Sequence, residues 1–217
     1  MDDDVKLRFG AEDFRKGIET LDKEMGKSEW LSAFAPITIL SSGGFLAVNY
    51  LGNRETTADL DYCLEPQWVH DDDIKGPLED AITSTARSLK FTTDWANQDM
   101  ALFISDKYRQ LLFEEAEKQN IVLWEGPNLR ILAVPLEWAL ERKLRRVHNA
   151  MNRTKRDTDI SDALALLKHL TTRNGEPLSR EYIRTLNICS TETLPDHATM
   201  DDIAEAYREK YNEEAFV

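Results

Sequence analysis

Two glycines set between an apolar run and a paired acid constrain this chain more than any other stretch. Ile37-Thr38-Ile39-Leu40, introduced by Pro36, leads into Ser41-Ser42-Gly43-Gly44 and Phe45-Leu46-Ala47, and Asp59-Leu60-Asp61-Tyr62 follows. The first run is short, apolar and bounded by proline and glycine, which reads as a buried strand. Residues 44 to 51 read as a short helix, and residues 59 to 64 as a second strand stopped by Pro66. Residues two apart on a strand share a face, so Asp59 and Asp61 are expected side by side. Neighbouring carboxylates repel each other unless a cation lies between them. Hard cations such as Mg²⁺ take oxygens of this kind and leave positions for water or phosphate. A glycine pair opening a helix beside them suits a phosphate held by backbone N–H groups.

The rest of the chain falls into two parts. Phe14, Ile18, Leu21 and Met25 recur at helical spacing before Gly26, which predicts an amphipathic first helix. Asp71-Asp72-Asp73 suits the start of a helix, and Leu78 to Leu89 has helical periodicity. Ala101 to Ile104 fits a strand or a buried helical turn, and 107 to 119 a helix. Ile121 to Trp124 and Leu129 to Val134 read as strands joined by the turn Glu125-Gly126-Pro127-Asn128. From Pro135 the pattern is helical, with helices expected at 136–150, 159–170, 179–187 and 199–211. The fold class is therefore α+β: a mixed sheet flanked by helices over 1–135, then a helical region over 136–217 packed on that core.

Composition narrows the function classes. A formal net charge of -13 argues against broad, sequence-blind binding to nucleic acid or anionic membrane, while leaving room for a local basic patch. No apolar run approaches transmembrane length, and the opening Met1-Asp2-Asp3-Asp4 lacks the pattern of a signal peptide. Cys63 and Cys189 read as reduced thiols of an intracellular, cytoplasmic protein. His70, His148, His169 and His197 show no paired spacing for zinc. Trp138, Tyr182, Tyr207 and Tyr211 read as core or partner-facing aromatics without chemistry of their own.

A second constellation lies in the helical part. Leu136, Leu140, Lys143 and Val147 fall at helical spacing, so Lys143 lies near the apolar stripe. A lysine there needs an anionic partner or must carry its ammonium out to solvent along its stem. Aimed outward from the stripe, it is also a cation suited to the phosphates of a nucleotide. Downstream, Asp159 and Asp162 are one turn apart in Arg156-Asp157-Thr158-Asp159-Ile160-Ser161-Asp162. Either acid, or Thr158, also suits a helix cap.

In this order the motifs resemble the nucleotidyltransferase superfamily, the fold of DNA polymerase β and its minimal relatives. The likeness is greatest to the abortive-infection toxin type. It rests on Gly43-Gly44, Thr57-Ala58-Asp59-Leu60-Asp61, Val134-Pro135-Leu136, Lys143-Leu144 and Asp159-Ile160-Ser161-Asp162. The resemblance implies transfer of a nucleoside monophosphate from an NTP to a hydroxyl, with Mg²⁺ or Mn²⁺ held by Asp59 and Asp61. It implies phosphate contacts from Ser42, Gly43 and Gly44, and a weaker nucleotide contact from Arg54. Lys143 would stabilise the leaving pyrophosphate, and Asp159 would act as base, metal ligand or orienter of Lys143. The acceptor stays open among a tRNA end, a protein hydroxyl and a small molecule such as an aminoglycoside. The chain departs from the family pattern in three ways. Arg54 is one residue farther from Thr57 than usual, the interval from the glycines to Asp59 is longer, and Leu129 to Val134 carries no aspartate as third carboxylate.

Two other classes fit the same residues. One is a nucleotidyltransferase-like module that binds a nucleotide or a protein without turnover, since fold does not dictate activity. The other is an interaction protein in which Asp59 and Asp61 are edge-strand charges that discourage aggregation.

Overall fold

Phe14, Ile18, Leu21 and Met25 are all buried along one side of the first helix, α1 (Ala11–Met25). Its start is tied by the Asp13 carboxylate, which accepts the Gly10 N–H at 2.9 Å. In the computed structural model, which describes residues 5–188 and 193–217, the fold is α+β. After α1 come α2 (Glu29–Ala33), β1 (Ile37–Ser41), α3 (Gly43–Leu46) and a π-helical turn (Ala47–Leu51). These are followed by β2 (Leu60–Leu64), α4 (Asp72–Leu89), β3 (Ala96–Asn97), α5 (Asp106–Gln119), β4 (Val122–Glu125) and β5 (Leu129–Ala133). The remainder is α6 (Leu136–His148), α7 (Arg153–Asn174), α8 (Arg180–Arg184) and α9 (His197–Tyr211). The chain divides into two units, Met1–Val134 and Pro135–Val217.

The first unit is built on a five-stranded mixed sheet of order β3-β2-β1-β5-β4. β1 is antiparallel to β2 and parallel to β5, and β4 and β5 form an antiparallel hairpin. Alternation sorts the side chains. Ile37 and Ile39 of β1, Leu60, Tyr62 and Leu64 of β2, and Leu129 and Ile131 of β5 join one buried cluster with residues of α1 and α4. Asp61 and Cys63 alternate with these residues on β2 and so face the other side, where Arg109 of α5 reaches the Cys63 sulfur at 2.6 Å. Burial pushes the Cys63 thiol up to about 11, against the nearby guanidinium. Cys189 lies outside the described residues.

The structure refines several sequence expectations. The strand beside β2 is β3, paired Leu60↔Ala96 and Asp61↔Asn97. Residues 129–133 pair with β1. Of the two readings open for 101–104, the helical turn is the one found, as part of the 3-10 turn Asp99–Phe103. α4 starts at Asp72, with the Asp71 carboxylate accepting the Asp73 N–H at 3.0 Å, and it carries Pro77 inside it. Proline so near the start forfeits only one early hydrogen bond of a long helix. α7 starts at Arg153, several residues before the expected 159, because Asn152 caps it.

In the second unit α6 and α7 pack along each other and α9 closes the core, with Leu140, Leu144, Leu167, Ile203 and Tyr207 all buried. Thr171 Oγ1 and the Tyr207 hydroxyl are 3.0 Å apart, which satisfies a buried phenol. Trp138 is buried and Tyr182 is exposed. Glu141 and Arg145 form a buried pair on α6. Arg145 also donates to the Leu186 carbonyl at 2.7 Å, and Glu141 accepts the Ile188 N–H at 2.7 Å. Both charges therefore enter the interior with partners, as the cost of desolvating an ion requires.

Candidate functional site

The end of β1 and the start of β2 are drawn together by Ser41, whose hydroxyl donates to the Asp61 carbonyl at 2.7 Å. The chain then bends at Gly43, which adopts φ +65°, a left-handed conformation that glycine takes without strain. A Cβ added there would stand 3.0 Å from Asp61 Oδ2, so the Asp61 carboxylate lies against the bend. At Gly44 an added Cβ would be 1.8 Å from Thr57 Oγ1. The diglycine is therefore required twice, once for its torsion and once for close approach. Ser42 occupies the position just before α3 and is nearly buried.

Thr57 is held in turn by the N-terminal segment. Its N–H donates to the Phe9 carbonyl and its carbonyl accepts the Phe9 N–H. This short ladder fixes the approach to Asp59, which directly precedes β2. Asn97 of β3 donates to Asp59 Oδ2 at 3.4 Å and to the Asp94 carbonyl at 3.2 Å, while its own Oδ1 accepts the Asp99 N–H at 2.9 Å. Burial raises the Asp59 carboxyl above the ordinary range, and the charges of Asp94 and Asp99 add to the shift. The Asn97 hydrogen bond and Arg54 act against it.

Asp59, Asp61, Ser42, Gly43, Gly44 and Arg54 all lie in the first unit. Lys143 and Asp159 lie in the second. There Lys143, 5% exposed, is not directed to solvent: its ammonium contacts Asp159 Oδ1 at 2.9 Å and Asp162 Oδ2 at 2.6 Å. Arg146 donates to Asp159 Oδ2 at 3.0 Å. Asp159 is thus shared between Lys143 and Arg146. Asp162 caps nothing; it is the second carboxylate of this buried cluster.

Sequence reasoning missed Asn97, Asp94 and Asp99. The signal was present as two acids and an amide around Trp95-Ala96, but a two-residue strand is too short to show alternation.

The donor set suits one kind of cation site. Mg²⁺ is commonly bound through one or two carboxylates, with substrate phosphates and water completing its shell. Asp59 and Asp61 offer that number of carboxylates, and Asp94 and Asp99 add negative charge near Asp59. Among the described residues no group of three or more histidine, cysteine, aspartate or glutamate side chains is arranged to hold a metal, which disfavours an all-protein cage. Also among them, no helix is long and apolar enough to cross a membrane.

A family model described as a domain of unknown function, DUF7582, matches residues 53–214, and the chain belongs to that family. No curated protein and no solved structure matches it.

Proposed function

We propose that this member of the DUF7582 family is a metal-dependent nucleotidyltransferase that moves a nucleoside monophosphate from an NTP to a hydroxyl acceptor. The observation that carries the reading is the Asp61 carboxylate lying against the left-handed Gly43 bend, with Asp59 two residues before it and the charges of Asp94 and Asp99 nearby. A divalent ion bound by Asp59 and Asp61 would polarise the α-phosphate and acidify the attacking hydroxyl.

The chain's own groups supply the rest. The backbone N–H groups at Gly43 and Gly44 and the Ser42 hydroxyl suit the outer phosphates. Asn97 orients Asp59, and the Thr57–Phe9 ladder keeps Gly44 and the acid strand in register. The acceptor oxygen would bond to the α-phosphorus as the bond from the α-phosphorus to the pyrophosphate oxygen breaks, and the hydroxyl proton would pass to solvent. The millimolar NTP and Mg²⁺ of a cytoplasm fit such an activity.

The test is incubation with each labelled NTP, Mg²⁺ or Mn²⁺, and in turn tRNA, protein extract and aminoglycosides. Label should pass to one acceptor, and Asp59→Ala and Asp61→Ala should each reduce transfer to background. Transfer that survives both substitutions sinks the reading.

One observation favours a second reading, a module that binds nucleotide without turnover. An amide, Asn97, stands across from Asp61 on the neighbouring strand instead of a further acid. Metal-dependent nucleotide binding, lost in Asp61→Ala, with no transfer to any acceptor would establish that reading over the first.

A further inference from the structure

From Arg142 to Arg156 every fully ionised side chain is a cation, in a chain whose formal net charge is -13. This stretch is the last two turns of α6, the connection 149–152 and the first turn of α7. We infer that this corner of the helical unit is a contact surface for the phosphate backbone of a nucleic-acid strand.

Part of the basic run is consumed internally. Lys143 and Arg145 are buried with their carboxylate partners. The others reach the surface. The Arg146 side chain is 49% exposed although it also pairs with Asp159, and Arg156 is 33% exposed while paired with Asp202. Arg153 and Lys155 are exposed and form no side-chain hydrogen bond or ion pair among the described residues.

Many exposed cations elsewhere sit beside acids: Arg15 with Glu12 and Glu19, Lys118 with Glu115, Arg208 with Glu214. Lys23, Arg87 and Lys107 are also exposed without an ion pair among the described residues, so what marks this corner is the density of its cations. α1, α4, α5 and α6 each begin with an acid in the first turn, whereas α7 begins with cations alone. Basic residues at a helix start oppose the helix dipole, so this placement does not serve α7 itself.

The geometry gathers the charges. Arg146 is bound to Asp159, and Lys155 lies one turn before Asp159 on the same face of α7, so the two cations are neighbours. Arg153 and Arg156 are three apart and share the adjoining face. Guanidinium groups predominate, and their planar forks match phosphate oxygens in pairs. The acidic remainder of the chain restricts contact to a few phosphates, which suits a single strand or a strand end better than a long duplex. An anionic membrane is the competing partner, because Met151, 106% exposed, projects from the same corner. One apolar side chain offers too little buried area for that role.

The test reads binding alone, so it stands or falls independently of nucleotidyl transfer. Fluorescence anisotropy with the full chain would use a labelled single-stranded RNA, the DNA of the same sequence, and sedimentation with phosphatidylserine-containing vesicles. Both oligonucleotides should bind at 50 mM salt, with a log–log salt slope of about −2, the value for roughly three phosphate contacts on a single strand. The double variant Arg153→Gln/Lys155→Gln should bind roughly tenfold more weakly and lower the slope by about 1.4. Lys16→Gln/Lys23→Gln on α1 should change neither quantity. The inference is overturned if neither oligonucleotide binds, if the Arg153/Lys155 variant binds like the parent, or if vesicles bind and the oligonucleotides do not.

Discussion

The same ingredients, two nearby aspartates and a basic group, meet opposite fates in the two units. In the helical unit Asp159 and Asp162 are 2% and 1% exposed and close around Lys143. In the sheet unit Asp59 and Asp61 sit at a strand start, both partly exposed, against a bend made of glycine. The first pair has its counter-charge built in, so its energy is spent on holding α6 to α7. The second lies near the further acids Asp94 and Asp99, and under the proposed function a bound divalent ion would join it. What the neighbouring chain supplies, and not the acids themselves, distinguishes the two settings.

The sharpest way to break this comparison is Lys143→Met. It removes the ammonium that both buried acids contact, and it should cost about 3–5 kcal/mol in a urea titration. A loss below ~1 kcal/mol would mean that the cluster is solvated and the contrast unfounded. Next in size is Gly44→Ala. Its Cβ would run into Thr57, and a cost of about 1–3 kcal/mol is expected, because overpacking here displaces the strand start. Preserved stability would show that the bend is looser than its contacts imply.

A smaller effect of opposite sign is expected at Asp59. Its proton affinity is raised on folding, so the native chain holds a proton that the unfolded chain has already released. Ionised Asp59 therefore weakens the fold above its folded-state value, and the penalty fades as pH falls through that value and is gone below about 4, the unfolded value. Asp59→Asn should raise the melting temperature at pH 7 and leave it unchanged below that pH, while abolishing metal-dependent nucleotide binding. A lowered melting temperature at pH 7 would mean that ionised Asp59 does not weaken the fold.

The last expectation leaves stability untouched. Cys63 shares a face of β2 with Asp61, two residues deeper, and marks where the open edge gives way to closed interior. With its thiol pushed up to about 11, a Cys189→Ser chain should react with a thiol reagent at pH 8 at least roughly 100-fold more slowly when folded than in urea. Equal rates would extend the open edge past Cys63.

Much of this was legible from residue order. The strand, diglycine and acid strand are local features, and α1 follows from the spacing of Phe14, Ile18, Leu21 and Met25. The position of Lys143 on an apolar stripe left two outcomes open, an anionic partner or an ammonium carried to solvent, and the first is found. The identity of that partner as both Asp159 and Asp162 is a tertiary fact, set by how α6 and α7 pack. Strand neighbours were harder. β3 is two residues long, so nothing in its pattern announced that Asn97 would stand beside the acids, and attention went to the longer, more visible β5. The start of α4 was legible in Asp71-Asp72-Asp73, and the helix runs from there through Pro77.

Asp22 carries a consequence for synthesis. This buried residue of α1 accepts the N–H groups of Asn128 and Leu129 at 2.9 and 2.8 Å, across as many as 107 positions of chain. A nascent chain can coil its first helix early, yet the carboxylate on it has nothing to bind until Leu129 has left the ribosome. The N-terminal helix must therefore wait, acid uncovered, for almost the whole sheet unit to be made before it can seat.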